Sequence, residues 1–268
     1  MPLLIGTSGW QYRDWRGDFY PAGVPTSRWL EFYATRFRTV ENNGTFYRLA
    51  APTTFADWRA RTPAGFVMTV KASRYLTHIR RLRDPAEPVA RLLGAAVGLG
   101  DHLGPVLVQL PPTMRAAPAA LDTCLAEFSA QYARLGAAGG RDLRVCVEFR
   151  HASWDTQEIR RILQEHGAAF CWSDRLGKPL GPLWRTTDWG YLRFHEGTAQ
   201  PWPRYGRQAL RSWLNRISAE FPPEADFYVY FNNDQLGAAP ADATALMAAA
   251  ERSGWPVARP ASPAANTT

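Results

Sequence analysis

The chain has 268 residues, 46% of them hydrophobic and 21% charged, an ordinary globular composition with enough length for one large core. No apolar run reaches the roughly 18 residues of a membrane span, and the start lacks a basic segment followed by a long apolar one, so the reading is a cytoplasmic protein with no membrane partner. The net charge of +7 is carried almost wholly by arginine, since Lys71 and Lys178 are the only lysines; it fits either polyanionic partners or a coding bias toward arginine.

Eight short apolar, β-branched or aromatic runs recur along the chain, at residues 3–8, 38–43, 66–71, 105–110, 143–149, 169–174, 191–195 and 226–231. Helical spacing separates most of them. Trp29, Leu30, Tyr33 and Phe37 share a face, as do Leu121, Leu125, Phe128 and Tyr132. Ile159, Ile162 and Leu163, and then Leu210, Trp213, Leu214 and Ile217, repeat the pattern. Asp155 and Glu158 resemble a capping box, and Gly136, Gly167 and Gly254 stand where helices should stop. Residues 177–188 show no helix, so the sixth connection is expected to be irregular.

Strands alternating with helices imply a parallel sheet, and eight repeats imply a single (β/α)8 TIM barrel over residues 1–258. No Gly-x-Gly-x-x-Gly follows the first strand, which argues against a doubly wound dinucleotide fold. Residues 259–268 read as a disordered tail. Cys124, Cys146 and Cys171 lie in apolar patterns without metal spacing and read as buried free thiols.

Charged groups beneath the helices are costly, so those near strand ends are expected to face inward at the open mouth. Seven strands supply one: Glu41 and Asn43, Lys71, Gln109, Glu148 and Arg150, Asp174, Arg193 and His195, and Asn232. Barrel active sites lie on this face. Glu148 and Asp174, on neighbouring strands, are expected to approach each other, with a divalent cation or an arginine between them and His195 as a further metal ligand. Three acids (Glu41, Glu148, Asp174) against three bases (Lys71, Arg150, Arg193) balance without a metal, so no cofactor is expected. Lys71 reads as an ion-paired lysine holding a substrate group. Schiff-base chemistry would need a depressed pKa, which a neighbouring Glu41 would oppose.

The loop after the first strand, residues 9–21, carries Trp10, Tyr12, Trp15, Phe19 and Tyr20, either a stacking surface for a sugar or nucleobase or a packed lid. Residues 73–83, which include His78, are strongly basic.

At these residues the chain resembles the DUF72 (YecE-like) family. The likeness rests on Gly6-Thr7-Ser8-Gly9-Trp10, Phe19-Tyr20-Pro21, Val40-Glu41-Asn42-Asn43-Gly44-Thr45-Phe46-Tyr47, Lys71 with Thr77-His78, and Gln109-Leu110-Pro111-Pro112. It continues through Glu148-Phe149-Arg150-His151 with Trp154, Asp174, Arg193-Phe194-His195 and Tyr230-Phe231-Asn232-Asn233. The resemblance implies a TIM barrel and brings no established reaction. Gly44, Glu196 and Asp242 depart from the family pattern, where Ser, Gly and Asn are usual.

Three functions fit the sequence. One is an enzyme of hydrolase or isomerase type on a polar, phosphorylated or sugar-containing small molecule, with Glu41, Glu148, Asp174, Lys71 and His195 as catalytic candidates. Trp10, Tyr12, Asn43, His78, Gln109, Arg150, Trp154, Arg193 and Asn232 would bind the substrate. The second is nucleic-acid binding or processing through the basic, aromatic loops, and the third is non-catalytic ligand binding.

Overall fold

Strand alternation sorts the apolar side chains of the strands into two sets. Leu3, Ile5, Val106, Val108, Val145, Val147, Phe170, Trp172, Leu192, Phe194, Phe227 and Val229 join the main core beneath the helices. Their neighbours of opposite parity, Leu4, Leu107, Cys146, Ala169, Cys171, Tyr191, Tyr228 and Tyr230, form a smaller second cluster. The structure, a computed structural model, describes residues 2–136 and 142–260.

The fold is α/β, with parallel strands in two sheets. One sheet holds β2 (Thr39–Asn42), β3 (Val67–Lys71), β4 (Leu103–Gln109), β5 (Val145–Glu148) and β6 (Ala169–Phe170), in that order. The other runs β1 (Leu3–Thr7), β10 (Phe227–Phe231), β9 (Gly190–Phe194), β7 (Trp172–Arg175) and β8 (Lys178–Pro179). All eight predicted runs are strands, the sixth broken into β6 and β7 at Cys171, whose N–H donates to the Val147 carbonyl at 2.9 Å. At the other edge Ser8 bridges Glu41 in parallel, and the Gly9 N–H donates to the Glu41 carbonyl at 2.8 Å.

The helices are α1 (Trp29–Ala34), α2 (Gly44–Tyr47), α3 (Pro52–Ala60), α4 (Ala86–Ala96), α5 (Pro118–Arg134), α6 (Gln157–Glu165), α7 (Arg207–Glu220) and α8 (Ala238–Arg252). The four faces read from spacing fall in α1, α5, α6 and α7. Gly136, Gly167 and Gly254 have φ of 71°, 58° and 78°, the left-handed geometry that ends a helix. The start of α6 differs by one residue from the capping box: Thr156, not Asp155, is the N-cap, its hydroxyl accepting from the Ile159 N–H. Threonine takes the role because its backbone is extended there, which aims Oγ1 at the free N–H groups of the first turn. The irregular sixth connection is a hairpin, in which β8 pairs antiparallel with β7. All three cysteines are buried and free. In the expected tail, Arg259 pairs with Glu251 at 2.7 Å; residues 261–268 lie outside the described residues. No described helix is long and apolar enough to cross a membrane.

Gly6 lets β1 and β2 approach. A Cβ there would collide with the Thr39 carbonyl and meet the Tyr33 hydroxyl at 3.0 Å, and that hydroxyl already joins Thr7 N–H (2.9 Å) to Thr39 O (3.1 Å). Gly6→Ala is therefore expected to destabilise the fold by about 1–3 kcal/mol or more, measured as a lowered urea midpoint at unchanged slope.

Candidate functional site

The inward parity of the strands continues past the smaller apolar cluster into polar groups: Glu41 after Thr39, Lys71 after Thr69, Gln109 after Leu107, Glu148 after Cys146, Ser173 after Cys171, and Arg193 after Tyr191. Arg193, 1% exposed, lies at the centre. Its Nε and Nη2 donate to the two Glu41 carboxylate oxygens at 3.0 and 2.8 Å, and its Nη1 donates to Glu148 Oε2 at 2.6 Å. One guanidinium from β9 thus holds carboxylates from β2 and β5, the forked geometry for which arginine is suited.

Further donors reach both carboxylates. Glu41 accepts from Ser8 Oγ at 2.7 Å and from the Tyr191 hydroxyl at 2.6 Å. Glu148 Oε1 accepts from Arg150 Nε (3.1 Å), Ser173 Oγ (3.0 Å) and His195 Nε2 (2.8 Å), and Arg150 Nη2 lies in ion-pair contact with it at 2.9 Å. Burial acts to raise both glutamate pKa values. For Glu148 the charges of Arg193 and Arg150, with the hydrogen bond from His195, outweigh it and hold the pKa well below the usual range, and Arg193 with Lys71 does the same more weakly for Glu41.

His195 accepts at Nδ1 from Asn232 Nδ2 (3.3 Å), which assigns the ring proton to Nε2, the atom facing Glu148. Arg150 Nη2, 3.1 Å from the same Nε2, is then a packing contact rather than a hydrogen bond. Burial lowers the His195 pKa, against Glu148, so the ring is neutral near pH 7.

Lys71 differs from its expected role. No carboxylate lies within ion-pair distance of its Nζ among the described residues, because Arg193 occupies Glu41. The Nζ instead sits 4.4 Å from the centre of the Phe46 ring, with the side chain 8% exposed. Burial and the Arg193 charge lower its pKa to about 8, against the pull of Glu41 and Glu148. His78 packs edge-on against the same ring at 5.0 Å, and its pKa is lowered by burial and then by the Lys71 charge.

Asp174 is not brought to Glu148. It has the parity of Trp172 and Phe170, so it points under the helices, where it accepts from the Tyr205 hydroxyl (2.5 Å) and Trp213 Nε1 (2.7 Å). Ser173 stands inward in its place. The cation site drawn from Glu148, Asp174 and His195 is therefore not assembled, and no described group of three His, Cys, Asp or Glu residues could hold a metal ion. The charge balance changes too: without Asp174, Glu41 and Glu148 face Arg193, Arg150 and Lys71.

Trp10 and Trp154 are core residues, 4% and 0% exposed. Trp10 packs edge-on against Trp58 at 5.7 Å, and Trp154 stacks on Phe149 at 4.8 Å while its Nε1 donates to Met114 O. Trp15 and Tyr20 are also fully buried, Tyr20 stacked on Trp29 at 4.4 Å, so this loop is a packed lid and not a stacking surface. Its half-buried Tyr12 donates to the Ser8 carbonyl at 2.6 Å, beside the site. Asn43, Gln109, Arg150 and Asn232 are partly exposed around it. Asn43 Oδ1 is buried without a hydrogen-bond partner. Sequence reasoning assigned no role to Ser8, Ser173, Tyr191 or Phe46, although Ser8 and Phe46 stand in the runs that carry the family resemblance. Strand parity marks Ser173 and Tyr191, which alternate with Trp172 and Leu192; Phe46, on a short helix, carries no such signal.

A family model described as "Protein of unknown function DUF72" matches residues 4–267. UPF0759 protein YunF of Bacillus subtilis (strain 168) is 25% identical over 265 residues, covering 88% of this chain and 90% of that protein. UPF0759 protein YecE of Escherichia coli (strain K12) is 30% identical over 132 residues, 47% of this chain and 46% of YecE. A crystal structure of a DUF72 family protein from Thermotoga maritima MSB8 matches with a TM-score of 0.74 at 26% identity, covering 94% of this chain and 100% of that one. A second, from Enterococcus faecalis V583, shares the fold with a TM-score of 0.70 at 18% identity, covering 93% and 98%.

Two stability predictions follow from the buried charges. Arg193→Met strands two carboxylates and is expected to cost about 3–5 kcal/mol, read by chemical denaturation. Lys71 keeps its proton to about pH 8 in the folded state and to about 10.5 when unfolded, so the unfolded chain binds more protons between those values and native stability rises with pH across that window. Below pH 8 the cost of the buried charge is fully present. Lys71→Met should therefore stabilise the protein at pH 7 by about 1–3 kcal/mol, with the gain shrinking toward pH 10.5 in urea titrations at the two pH values.

Proposed function

The chain belongs to the DUF72 family, and from that premise we propose that it is an enzyme acting on a small anionic, polar molecule such as a phosphorylated or carboxylated sugar derivative. The reaction site is the cluster around Lys71, Arg150 and His195. In this reading the two sheets are one (β/α)8 barrel, joined by the Ser8–Glu41 bridge on one side and by the chain through Cys171 on the other, and the cluster lies at its C-terminal mouth.

The observation that carries the reading is the allocation of charge. Arg193 holds both buried carboxylates and Arg150 shares Glu148, so the two carboxylates face three cations and Lys71 is left without a carboxylate of its own. A buried cation without a counter-ion is costly, and an anionic ligand offsets that cost. Arg150, 29% exposed, uses Nε and Nη2 on Glu148 and leaves Nη1 without a partner among the described residues. Asn43 Oδ1 offers an unused acceptor for a ligand hydroxyl or N–H. His195, neutral and oriented by Glu148 and Asn232, supplies the acid/base group. The packing of Trp10, Trp15 and Tyr20 into the core removes the stacking surface that a nucleic-acid reading would use.

The test is a thermal-shift and calorimetry panel of sugar phosphates, phosphate and small carboxylates against neutral sugars of the same size, with native mass spectrometry of the purified protein. Anions are expected to stabilise it, and Arg150→Met to weaken their binding about 10–100-fold, the loss of one charge-assisted hydrogen bond of about 1.5–3 kcal/mol. Neutral sugars binding as well as anions, with no effect of Arg150→Met, would overturn the reading.

A further inference from the structure

We propose that Lys71 is a nucleophilic amine that forms an imine with the carbonyl carbon of an anionic aldehyde, ketone or 2-oxo acid. The inference rests on the anion-binding reading above, with Arg150 holding the anionic group and Lys71 meeting the carbonyl.

Three observations support it. The Lys71 side chain is 8% exposed at the C-terminal end of β3, with its Nζ over the Phe46 ring and no carboxylate within ion-pair reach among the described residues. A desolvated ammonium beside another fixed cation, here Arg193, is the arrangement that favours the neutral, nucleophilic amine. The half-buried imidazole of His78 shares the Phe46 ring, and its Nδ1 contacts Thr77 Oγ1 at 2.9 Å, leaving Nε2 to exchange a proton with the reacting centre. Glu41, which from sequence alone would keep Lys71 protonated, is instead committed to Arg193, Tyr191 and Ser8.

In the step, the neutral amine donates its lone pair to the carbonyl carbon and the C=O π bond moves onto oxygen, which takes a proton. The resulting carbinolamine loses that oxygen as water. The two hydrogens originally on nitrogen end on the departing oxygen, and the C=N bond replaces the C=O bond. Protonation of the imine nitrogen then gives the iminium form. No oxidant or reductant is involved, and hydrolysis reverses the step.

The chain contains only two lysines, and exposed Lys178 is the internal control. The intact protein is incubated at pH 7.5 with glyoxylate or, in parallel, with uncharged propanal, reduced with sodium cyanoborohydride, and mapped by peptide mass spectrometry. Glyoxylate is expected to label Lys71 about tenfold or more over Lys178, with the preference falling as the pH approaches 10. Lys71→Arg is expected to abolish that label, and Lys178→Arg to leave both the Lys71 label and the anion-dependent stabilisation in place. Label on Lys178 equal to or above that on Lys71, in protein that glyoxylate still stabilises through Arg150, would overturn the inference and leave the anion reading standing. Equal labelling of Lys71 by glyoxylate and propanal would uphold the amine and overturn the anion reading.

Discussion

Arg193 is a guanidinium almost wholly out of water, held between two carboxylates that are themselves fully buried. Such a group is tolerated only when its donors are matched in geometry, and here Nε and both terminal nitrogens meet carboxylate oxygens between 2.6 and 3.0 Å. The contacts reach from β9 to β2 and β5, so a single side chain ties together strands of both sheets at the level where the polar site begins. Ser8, Tyr191 and Ser173 also donate to these carboxylates, leaving Glu41 and Glu148 fixed in place and ionised.

The character of the site follows from that commitment. Carboxylates bound to Arg193 cannot also neutralise Lys71, and the amine is left against an aromatic ring with a depressed pKa. Glu148 has enough acceptor capacity to orient His195 and Arg150 as well, which sets the imidazole tautomer and aims the exposed edge of the guanidinium outward. The same arrangement that makes the centre rigid leaves its rim electrically unfinished, which is the condition in which a ligand contributes most.

A second polar network holds the other side of the strands. Asp174 accepts from Tyr205 and Trp213, and Asp242 accepts from Asn233 Nδ2 (2.7 Å) and the Tyr205 N–H (3.0 Å). Burial raises both aspartate pKa values, that of Asp242 to about 6. The departure at Asp242 from the usual Asn is compatible with this network, since both side chains accept through an oxygen. These groups anchor α7, α8 and the loop ending at Tyr205 behind His195, outside the Arg193 cluster.

The sequence by itself determined the strand repeat, the four amphipathic helix faces and the presence of polar residues at strand ends, because apolar periodicity and strand length are local properties. It also placed Glu41, Lys71, Glu148, Arg193 and His195 near strand ends, and the structure gathers them into one polar cluster. Only the tertiary structure decided their partners. A charge at a strand end does not by itself face inward: Asp174 is of opposite parity to Cys171 and Ala169, which places it outward. Glu41 pairs not with Lys71, the nearer cation in the chain, but with Arg193, 152 residues away. Parity along a strand is written in neighbouring residues. Which cation claims a buried carboxylate depends on how distant strands are brought into register, and that competition is settled by hydrogen-bond geometry that no local pattern encodes.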